Sequence, residues 1–172
     1  MRKLAAIGSM LLALVLFSCS STTEPENDAN PAGELTQSSS CKNFTGGTQD
    51  WTTPSEQDCI EYVYDGESIL TLRHINAGFN CCPDSLTAQF HVSVGSIIID
   101  EGEVLDQGGC HCLCLYDLDY RIANLPPGPY AIRVNQPYLW PGAAVLEFQV
   151  DLSAATSGSH CVERDQYPWG TP

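Results

Sequence analysis

Three cysteines at alternate positions open the segment that most constrains the fold of this chain, residues 110–134. Side chains of a β-strand alternate between its two faces, so we expect these cysteines to share one face. Apolar residues continue that face as far as Ile122, whereas the opposite face turns polar after Leu115. The pattern predicts a strand from Cys110 to Ile122 that buries its cysteine face and turns the later part of its other face to water. A Pro/Gly turn at residues 125–129 then leads into a second strand.

Alternating apolar residues predict further strands on both sides of this segment. Together with the two strands above, the predicted strands cover residues 59–65, 68–76, 86–94, 97–100, 110–122, 130–134 and 145–152. Residues 101–109 (EGEVLDQGG) are interpreted as an acidic loop, and residues 153–172 show no clear period. Because about seven strands occur with almost no helical periodicity, we predict an all-β fold, a single antiparallel β-sandwich with immunoglobulin-like, Greek-key connections.

Two short patterns resemble known proteins. The first is Tyr120-x-Ile122-x-x-Leu125-x-Pro127-Gly128-x-Tyr130-x-x-x-Val134. It resembles the turn before a late strand in fibronectin type III and prealbumin-like sandwiches, which implies that Leu125 and Tyr130 pack at a corner of the sandwich. The second is residues 75–83 (INAGFNCCP), which together with the alternate cysteines resembles Cys-rich bacterial envelope proteins of unassigned activity. This second resemblance implies a location and no activity.

The N-terminal 18 residues have the composition of a bacterial export signal. Arg2 and Lys3 precede an apolar run that ends at Phe17, and a run of about 14 residues is short for a spanning helix. The run continues into Ser18-Cys19, and the sequence LFSC resembles the lipobox of bacterial lipoproteins. The resemblance implies cleavage before Cys19 and attachment of acyl chains such as palmitate to Cys19. Stable anchoring requires more than one such chain.

Three regions follow from this interpretation: a signal peptide at 1–18, a lipidated flexible tether at 19–40 and a Cys-rich β-sandwich domain at 41–172. The tether is rich in Ser, Thr, Glu, Asn and Pro, a composition that cannot bury a core. Ser20 rather than Asp follows Cys19, which in enteric-type sorting implies the outer membrane. We therefore expect a cell-envelope protein that its lipid holds at the outer membrane, on the periplasmic face or the cell surface.

Eight cysteines remain after Cys19 is set aside, and an even number in an exported chain predicts disulfide bonds. They are Cys41, Cys59, Cys81, Cys82, Cys110, Cys112, Cys114 and Cys161. Alternate strand positions lie ~6.7 Å apart with parallel side chains, so each cysteine of the 110–114 run should pair with another segment. Adjacent Cys81 and Cys82 should take different partners, at least one in that run, and Cys41 and Cys161 should fasten the ends of the domain. Eight thiols allow on the order of 100 pairings, so the connectivity stays open.

The alternative use of these cysteines is a thiolate site for copper or zinc. Strand geometry disfavours it, because Cys110 and Cys114 lie ~13 Å apart whereas two sulfurs on one metal lie within ~4 Å. No Cys-x-x-Cys motif is present. We therefore predict no metal ligands and no cofactor.

Other candidate side chains are few, and no known catalytic motif is present. The histidines are His74, His91, His111 and His160. We expect them at the surface or half-buried with partners, although a cluster of the first three with a carboxylate would suit a secreted hydrolase. Acidic residues at 100, 101, 103 and 106 are expected to be solvated rather than to bind calcium. Aromatic residues Tyr138, Trp140, Tyr167 and Trp169 could bind a protein or a glycan, but packing of the tail is favoured.

The charge of the chain excludes one class of partner. Seven Lys and Arg residues stand against 21 Asp and Glu residues, a net charge of −14. Such a field repels phosphate backbones, so we expect no nucleic acid. The sequence predicts a lipid-anchored envelope protein with a non-catalytic binding or structural role, and not an enzyme. The alternatives are a copper- or zinc-binding envelope protein and a secreted hydrolase.

Overall fold

A computed structural model describes residues 30–42, 44, 53–106 and 108–165 of the chain, which form two packed β-sheets. The strands of these residues are β1 (Ala32–Ser38), β2 (Gln57–Tyr64), β3 (Leu70–Asn80), β4 (Ser85–Ser93), β5 (Ser96–Val104), β6 (Leu113–Ala123), β7 (Pro129–Asn135), β8 (Leu146–Asp151) and β9 (Ser157–Glu163). The larger sheet has the order β1-β6-β3-β2-β9 and the smaller sheet the order β4-β5-β7-β8. No helix in this part of the chain is long and apolar enough to cross a membrane.

The predicted all-β sandwich is confirmed, with two differences in detail. The described residues contain nine strands where about seven were expected. Neighbouring strands are antiparallel except β5 and β7, which run parallel. The predicted signal peptide and Cys19 lie outside the described residues.

The core forms where apolar side chains of alternate strand positions meet between the sheets. Fully buried members include Leu70, Leu72, Leu118, Tyr120 and Ile122 from the larger sheet and Ile97, Ile99, Ile132 and Val134 from the smaller one. Burying one large apolar side chain contributes about 1.5–3 kcal/mol, so these layers supply the main driving force for folding. The corner expected from the sequence is also present, since Leu125 and Tyr130 are buried and the Tyr130 hydroxyl donates to the Pro126 carbonyl at 2.9 Å.

Two strands were not expected from their sequences, because both are edge strands with few apolar residues. β1 lies inside the predicted tether and pairs with β6, while β9 lies in the aperiodic tail and pairs with β2. An edge strand with one solvated face needs few large apolar residues, so its pattern is weak. The tether prediction is therefore wrong for residues 32–38.

The segment around the alternate cysteines departs from the predicted strand at its start and on one face. β6 begins at Leu113, and Cys110 and Cys112 precede it in exposed positions, so only Cys114 of the three is buried. Asp117 was expected to meet water but is 7% exposed. Residues 39–42 extend along β6 at this point, where the Lys42 N–H donates to the Leu115 carbonyl at 2.8 Å. Strand periodicity alone cannot reveal such a covering segment.

Replacing Gly33 with alanine is expected to destabilise the protein by about 1–3 kcal/mol, because a Cβ at this position would overlap the ring of Phe90. Gly33 lies on β1 of the larger sheet and Phe90 on β4 of the smaller one, so the overlap would push β1 and β4 apart. The measurement is the free energy of urea unfolding. Glu34→Ala, at the exposed neighbouring position, is the control and should change stability by less than about 0.5 kcal/mol. Equal losses in the two variants would contradict the observed packing of β1.

Candidate functional site

The core turns polar at one end of the sandwich, where inward positions carry ionisable side chains. Asp58 precedes the inward residues of β2, His74 follows Leu70 and Leu72 on β3, and Glu101 follows the buried isoleucines of β5. We define the imidazolium cluster as Asp58, His74, Glu101, Tyr120, Gln136 and Arg164. The cluster is buried, since Asp58 and His74 are 0% exposed and Glu101 is 8% exposed.

His74 stands between the two carboxylates of the cluster. Its Nε2 lies 2.6 Å from Asp58 Oδ1, and its Nδ1 lies 2.5 Å from Glu101 Oε1. The same Glu101 oxygen accepts a hydrogen bond from the Tyr120 hydroxyl. With one carboxyl group at each ring nitrogen, His74 can donate to both only as an imidazolium cation, the form that a pKa raised to about 10 favours at neutral pH.

The second oxygen of Asp58 binds the remaining positive group. Asp58 Oδ2 accepts hydrogen bonds from Gln136 Nε2 at 2.7 Å and from Arg164 Nε at 3.0 Å, and it also contacts Arg164 Nη2. Two acids and two bases therefore cancel in charge, which is the condition under which buried ions are tolerated. Glu101 Oε2 and Gln136 Oε1 are buried without a hydrogen-bond partner among the described residues, which adds a desolvation cost.

The charges of the cluster control the protonation of His74. Burial acts to lower the pKa of His74, but the neighbouring charges of Glu101 and Asp58 outweigh it and raise the pKa to about 10. For Asp58, burial acts to raise the pKa, while His74 and Arg164 bring it below its usual value. The pKa of Tyr120 is raised well above its usual value, by burial and then by the charge of Glu101. At neutral pH a neutral Tyr120 phenol, a His74 imidazolium and the Asp58 carboxylate thus coexist in the cluster.

The stability of the protein is expected to fall as pH rises from about 6.5 to about 10. The folded-state pKa of His74 is raised above the unfolded value of about 6.5, so its contribution is complete below that pH and is lost as the folded pKa is approached. The contribution of Asp58 to stability changes with pH in the opposite direction, because the pKa of Asp58 is lowered on folding. It is therefore lost in acid, as the carboxyl group becomes protonated. Urea unfolding at a series of pH values measures both effects. Constant stability between about pH 6 and pH 9.5 would contradict a charged His74.

A second group of polar residues, all buried except Arg73, lies on the outer face of the larger sheet. We define the lysine cluster as Lys42, Arg73, Asn76 and Asp117. Lys42 Nζ donates to Asn76 Oδ1 at 2.7 Å and forms an ion pair with Asp117 Oδ1, while Arg73 Nη2 lies 3.1 Å from Asp117 Oδ2. Lys42 is 3% exposed and Asn76 0% exposed. A buried lysine beside a buried amide is unusual, because lysine is rarely fully buried.

Local backbone structure brings the lysine cluster together. The register between β3 and β6 shifts between Ile75 and Ala77, and Asn76 at this β-bulge has a φ of 69°. A bulge redirects a side chain out of strand alternation, and Asn tolerates left-handed backbone better than most residues. The Asn76 amide nitrogen donates to the carbonyls of Pro54 at 2.8 Å and Gln57 at 2.7 Å, which turns the amide oxygen toward Lys42.

All eight predicted cysteines form disulfides. The pairs are Cys41–Cys114, Cys59–Cys161, Cys81–Cys112 and Cys82–Cys110. No bridge forms within the 110–114 run, the two adjacent cysteines take different partners, and both terminal cysteines are paired, as expected. The sequence could not fix the connectivity, because that depends on how β3, β6 and the preceding loops lie together.

The other predicted residues do not form one site. His91 is exposed and pairs with Asp100 at 2.8 Å, His111 is exposed, and His160 stacks on Phe148 with ring centroids 5.1 Å apart. The expected acidic loop is wrong over residues 101–104, which belong to β5. Within the described ranges, no group of three or more His, Cys, Asp or Glu residues is arranged to hold a metal ion.

One aromatic residue of the β7–β8 connection is presented to solvent. Trp140 is 45% exposed. Nearby, the Tyr138 hydroxyl donates to Glu103, whose other oxygen accepts the Asn80 N–H at 2.9 Å. Burial and this hydrogen bond raise the pKa of Tyr138 to about 12. The Tyr138–Glu103 hydrogen bond therefore holds the β7–β8 connection to β5, two residues before the exposed Trp140. Tyr167 and Trp169 lie outside the described residues.

The two clusters were not predicted, although one left a signal in the sequence. His74 and Glu101 continue the inward alternation of β3 and β5, and polar residues in phase with a core face indicate buried pairs. Lys42 left no such signal, because it precedes the predicted strands. No protein-family model, curated protein or solved structure matches the chain, so the functional interpretation depends on this geometry.

Proposed function

We propose that this chain is a lipid-anchored protein of the bacterial cell envelope with a non-catalytic binding or structural role. The observation that carries the proposal is the pairing of all eight cysteines of the sandwich into four disulfides. Disulfides form and persist in oxidising compartments such as the periplasm and the cell surface. This environment agrees with the export signal and the lipobox of the sequence.

A non-catalytic role is supported by how the strongest ionisable groups are used. The imidazolium cluster resembles a catalytic triad in composition, but His74 is fully buried and both its nitrogens are occupied by carboxylates. A general base needs a free ring nitrogen within reach of the substrate. The cluster therefore acts as a buried crosslink between the two sheets, and this favours a structural use over a hydrolase.

The exposed indole supports a binding surface on the β7–β8 connection. Trp140 combines a large apolar area with one polar group, and such side chains are enriched where proteins and glycans are bound. The Tyr138–Glu103 contact holds the connection in place before any partner arrives, which lowers the entropy lost on binding. We place the binding role at this surface, with an envelope glycan or protein as the ligand.

Lipid attachment is tested by metabolic labelling with a palmitate analogue in cells that express the full chain. We expect the label on the wild-type chain and none on Cys19→Ala, which should also leave the membrane fraction. Thr23→Ala, in the same N-terminal segment, is the matched control and should keep the label. An unlabelled wild-type chain recovered as soluble protein would overturn the anchored assignment.

The binding surface is tested by sedimentation of the purified protein with peptidoglycan sacculi, the envelope glycan offered as the probe. Trp140→Ala should lower the bound fraction while changing the free energy of unfolding by less than about 0.5 kcal/mol. Val63→Ala is the control, since Val63 is an exposed apolar residue of the larger sheet. Equal sedimentation of both variants and the wild type would remove Trp140 from the binding surface.

The copper or zinc alternative makes a different prediction about the same cysteines. A sulfur in a disulfide does not serve as a thiolate ligand, so metal handling would require a reduced form of the chain. Thiol titration of the unfolded, unreduced protein distinguishes metal handling from a structural use of the cysteines. Four or more free thiols with bound metal would favour the metal-handling function over the structural one.

A further inference from the structure

We propose that Lys42 and Asn76 react within the folded chain to form an intramolecular isopeptide bond, with Asp117 as the catalytic acid–base. The bond would link the side chain of Lys42, which follows β1, to the side chain of Asn76 on β3, the central strand of the larger sheet. It would form without a cofactor, because the nucleophile, the electrophile and the proton carrier already lie together.

The reacting groups are in contact before any bond forms. Lys42 Nζ lies 2.7 Å from Asn76 Oδ1, and the carbon to be attacked is only one C=O bond, about 1.2 Å, from that oxygen. The orientation of the amide is fixed, since its nitrogen donates to the carbonyls of Pro54 and Gln57. Such positioning of two reactants can supply a large part of the acceleration that an intramolecular reaction needs.

The burial of Lys42 favours the neutral amine that must attack. Burial lowers the pKa of Lys42, and the hydrogen bond and charge of Asp117 only partly oppose it. Asp117 does not depend on Lys42 for its counterion, because Arg73 contacts its other oxygen at 3.1 Å. A proton can therefore pass from Lys42 to Asp117 Oδ1, with which Nζ is in contact, leaving a neutral amine beside a neutral carboxyl group.

The reaction balances as an amide exchange. The Nζ lone pair attacks Asn76 Cγ, and the C=O bond opens to give a tetrahedral intermediate with negative charge on oxygen. Asp117, protonated by the first transfer from Lys42, gives that proton to the amide nitrogen and then accepts the extra proton of the attacking nitrogen. The bond from Cγ to that nitrogen then breaks, the carbonyl re-forms, and one ammonia leaves. Nothing is oxidised or reduced, and the product is a secondary amide between Lys42 and Asn76.

The surrounding structure keeps the reactants in register. The Cys41–Cys114 disulfide fixes the residue before Lys42 to β6, and the Lys42 N–H donates to the Leu115 carbonyl at 2.8 Å. On the other side, Asn76 occupies a left-handed backbone position at a β-bulge, a strained geometry of the kind that clusters at reactive sites. The Asn76 N–H also donates to Asp117 Oδ1 at 3.2 Å, which holds the carboxylate beside the amide.

The test is peptide mapping of the full chain, extracted from the envelope with detergent, reduced, alkylated and digested with trypsin and a Glu-specific protease. We expect no tryptic cleavage after Lys42 and a branched peptide that contains both Lys42 and Asn76, lighter than its two arms by one ammonia. Cleavage after Lys42 with an unmodified Asn76 peptide would overturn the proposal. Loss of ammonia within an Asn76 peptide that is not joined to Lys42 would show cyclisation with the backbone instead and would also overturn it.

Variants assign the roles of the three residues. Lys42→Arg keeps the positive charge and should abolish the branched peptide. Asp117→Asn should slow cross-linking by about 100-fold or more, the usual contribution of a general acid–base, while Asp119→Asn on the same strand should cross-link as the wild type does. Circular dichroism and a non-reducing disulfide map confirm that each variant is folded. A folded Asp117→Asn variant that cross-links at the wild-type rate would overturn the assignment of Asp117. If this variant does not fold, the peptide map of the wild-type chain still shows whether the isopeptide bond forms.

Discussion

Replacing His74 with glutamine is expected to destabilise the protein by about 3–5 kcal/mol, the typical loss when one partner of a buried ion pair is removed. Glutamine is neutral and cannot place an N–H toward both Asp58 and Glu101, which stand on opposite sides of the ring. At least one carboxylate is then left buried without its countercharge. The free energy of urea unfolding at about pH 6, where His74 contributes fully, measures the effect.

Two further variants distinguish the effect of an uncompensated buried charge from the effect of losing any histidine. His91→Gln removes an exposed histidine that also pairs with an acid and should cost less than about 1 kcal/mol. The double variant His74→Gln/Glu101→Gln removes one acid together with the base, so it should be more stable than His74→Gln alone. If the two single-variant losses of stability add, so that the double variant is less stable than His74→Gln, charge compensation inside the cluster is contradicted.

Removing the Cys59–Cys161 bridge by substituting alanine at both positions is expected to cost about 2–5 kcal/mol. This bridge joins β2 to β9 at directly paired positions and closes a loop of 102 residues. Cross-linking constrains an unfolded chain more when the closed loop is longer, although part of the effect arises in the folded state. The midpoint and slope of urea unfolding are the measurements.

The bridge between Cys82 and Cys110 provides the comparison, since it closes a sequence separation of only 28 residues. Its removal should cost about 1 kcal/mol less than removal of the Cys59–Cys161 bridge if loop closure dominates. Both positions are exposed, so alanine leaves no cavity there. A larger loss from the Cys82–Cys110 bridge would show that local contacts around residues 80–84, and not loop length, determine its contribution.

Much of the sandwich could be predicted from the sequence, because most strands with a buried face alternate clearly. The strand that begins at Leu86 was expected at residues 86–94 and forms at Ser85–Ser93. The separation of the cysteines among different segments was also predictable, since it follows from the spacing of side chains on a strand. These are local properties, which a single strand and its neighbours in sequence determine.

The features that were not predicted depend on contacts between distant segments. Asp117 was expected to meet water, but Lys42 covers it from 75 residues away in the chain, and the β-bulge at Asn76 changes which side of β3 its side chains face. The imidazolium cluster likewise joins β2, β3, β5 and β6 with residues beyond β7 and β9. A pattern of alternating residues contains no information about which segments will cover it, so these sites emerge only in three dimensions.

The disulfide framework connects the fold to the proposed location of the protein. Cys41–Cys114 fastens the segment after β1, Cys59–Cys161 fastens β9, and the two remaining bridges tie the residues after β3 to those before β6. Both ends of the sandwich domain are thereby held by covalent bonds. Disulfides of this kind persist in oxidising compartments, which agrees with the proposed location outside the cytoplasm.

Non-reducing peptide mapping of the protein recovered from the cell envelope tests the paired-sulfur framework most directly. We predict no free thiol among the eight cysteines and four linked peptides with the pairs 41–114, 59–161, 81–112 and 82–110. Recovery of the same cysteines as free thiols, with copper or zinc bound to the protein, would contradict it.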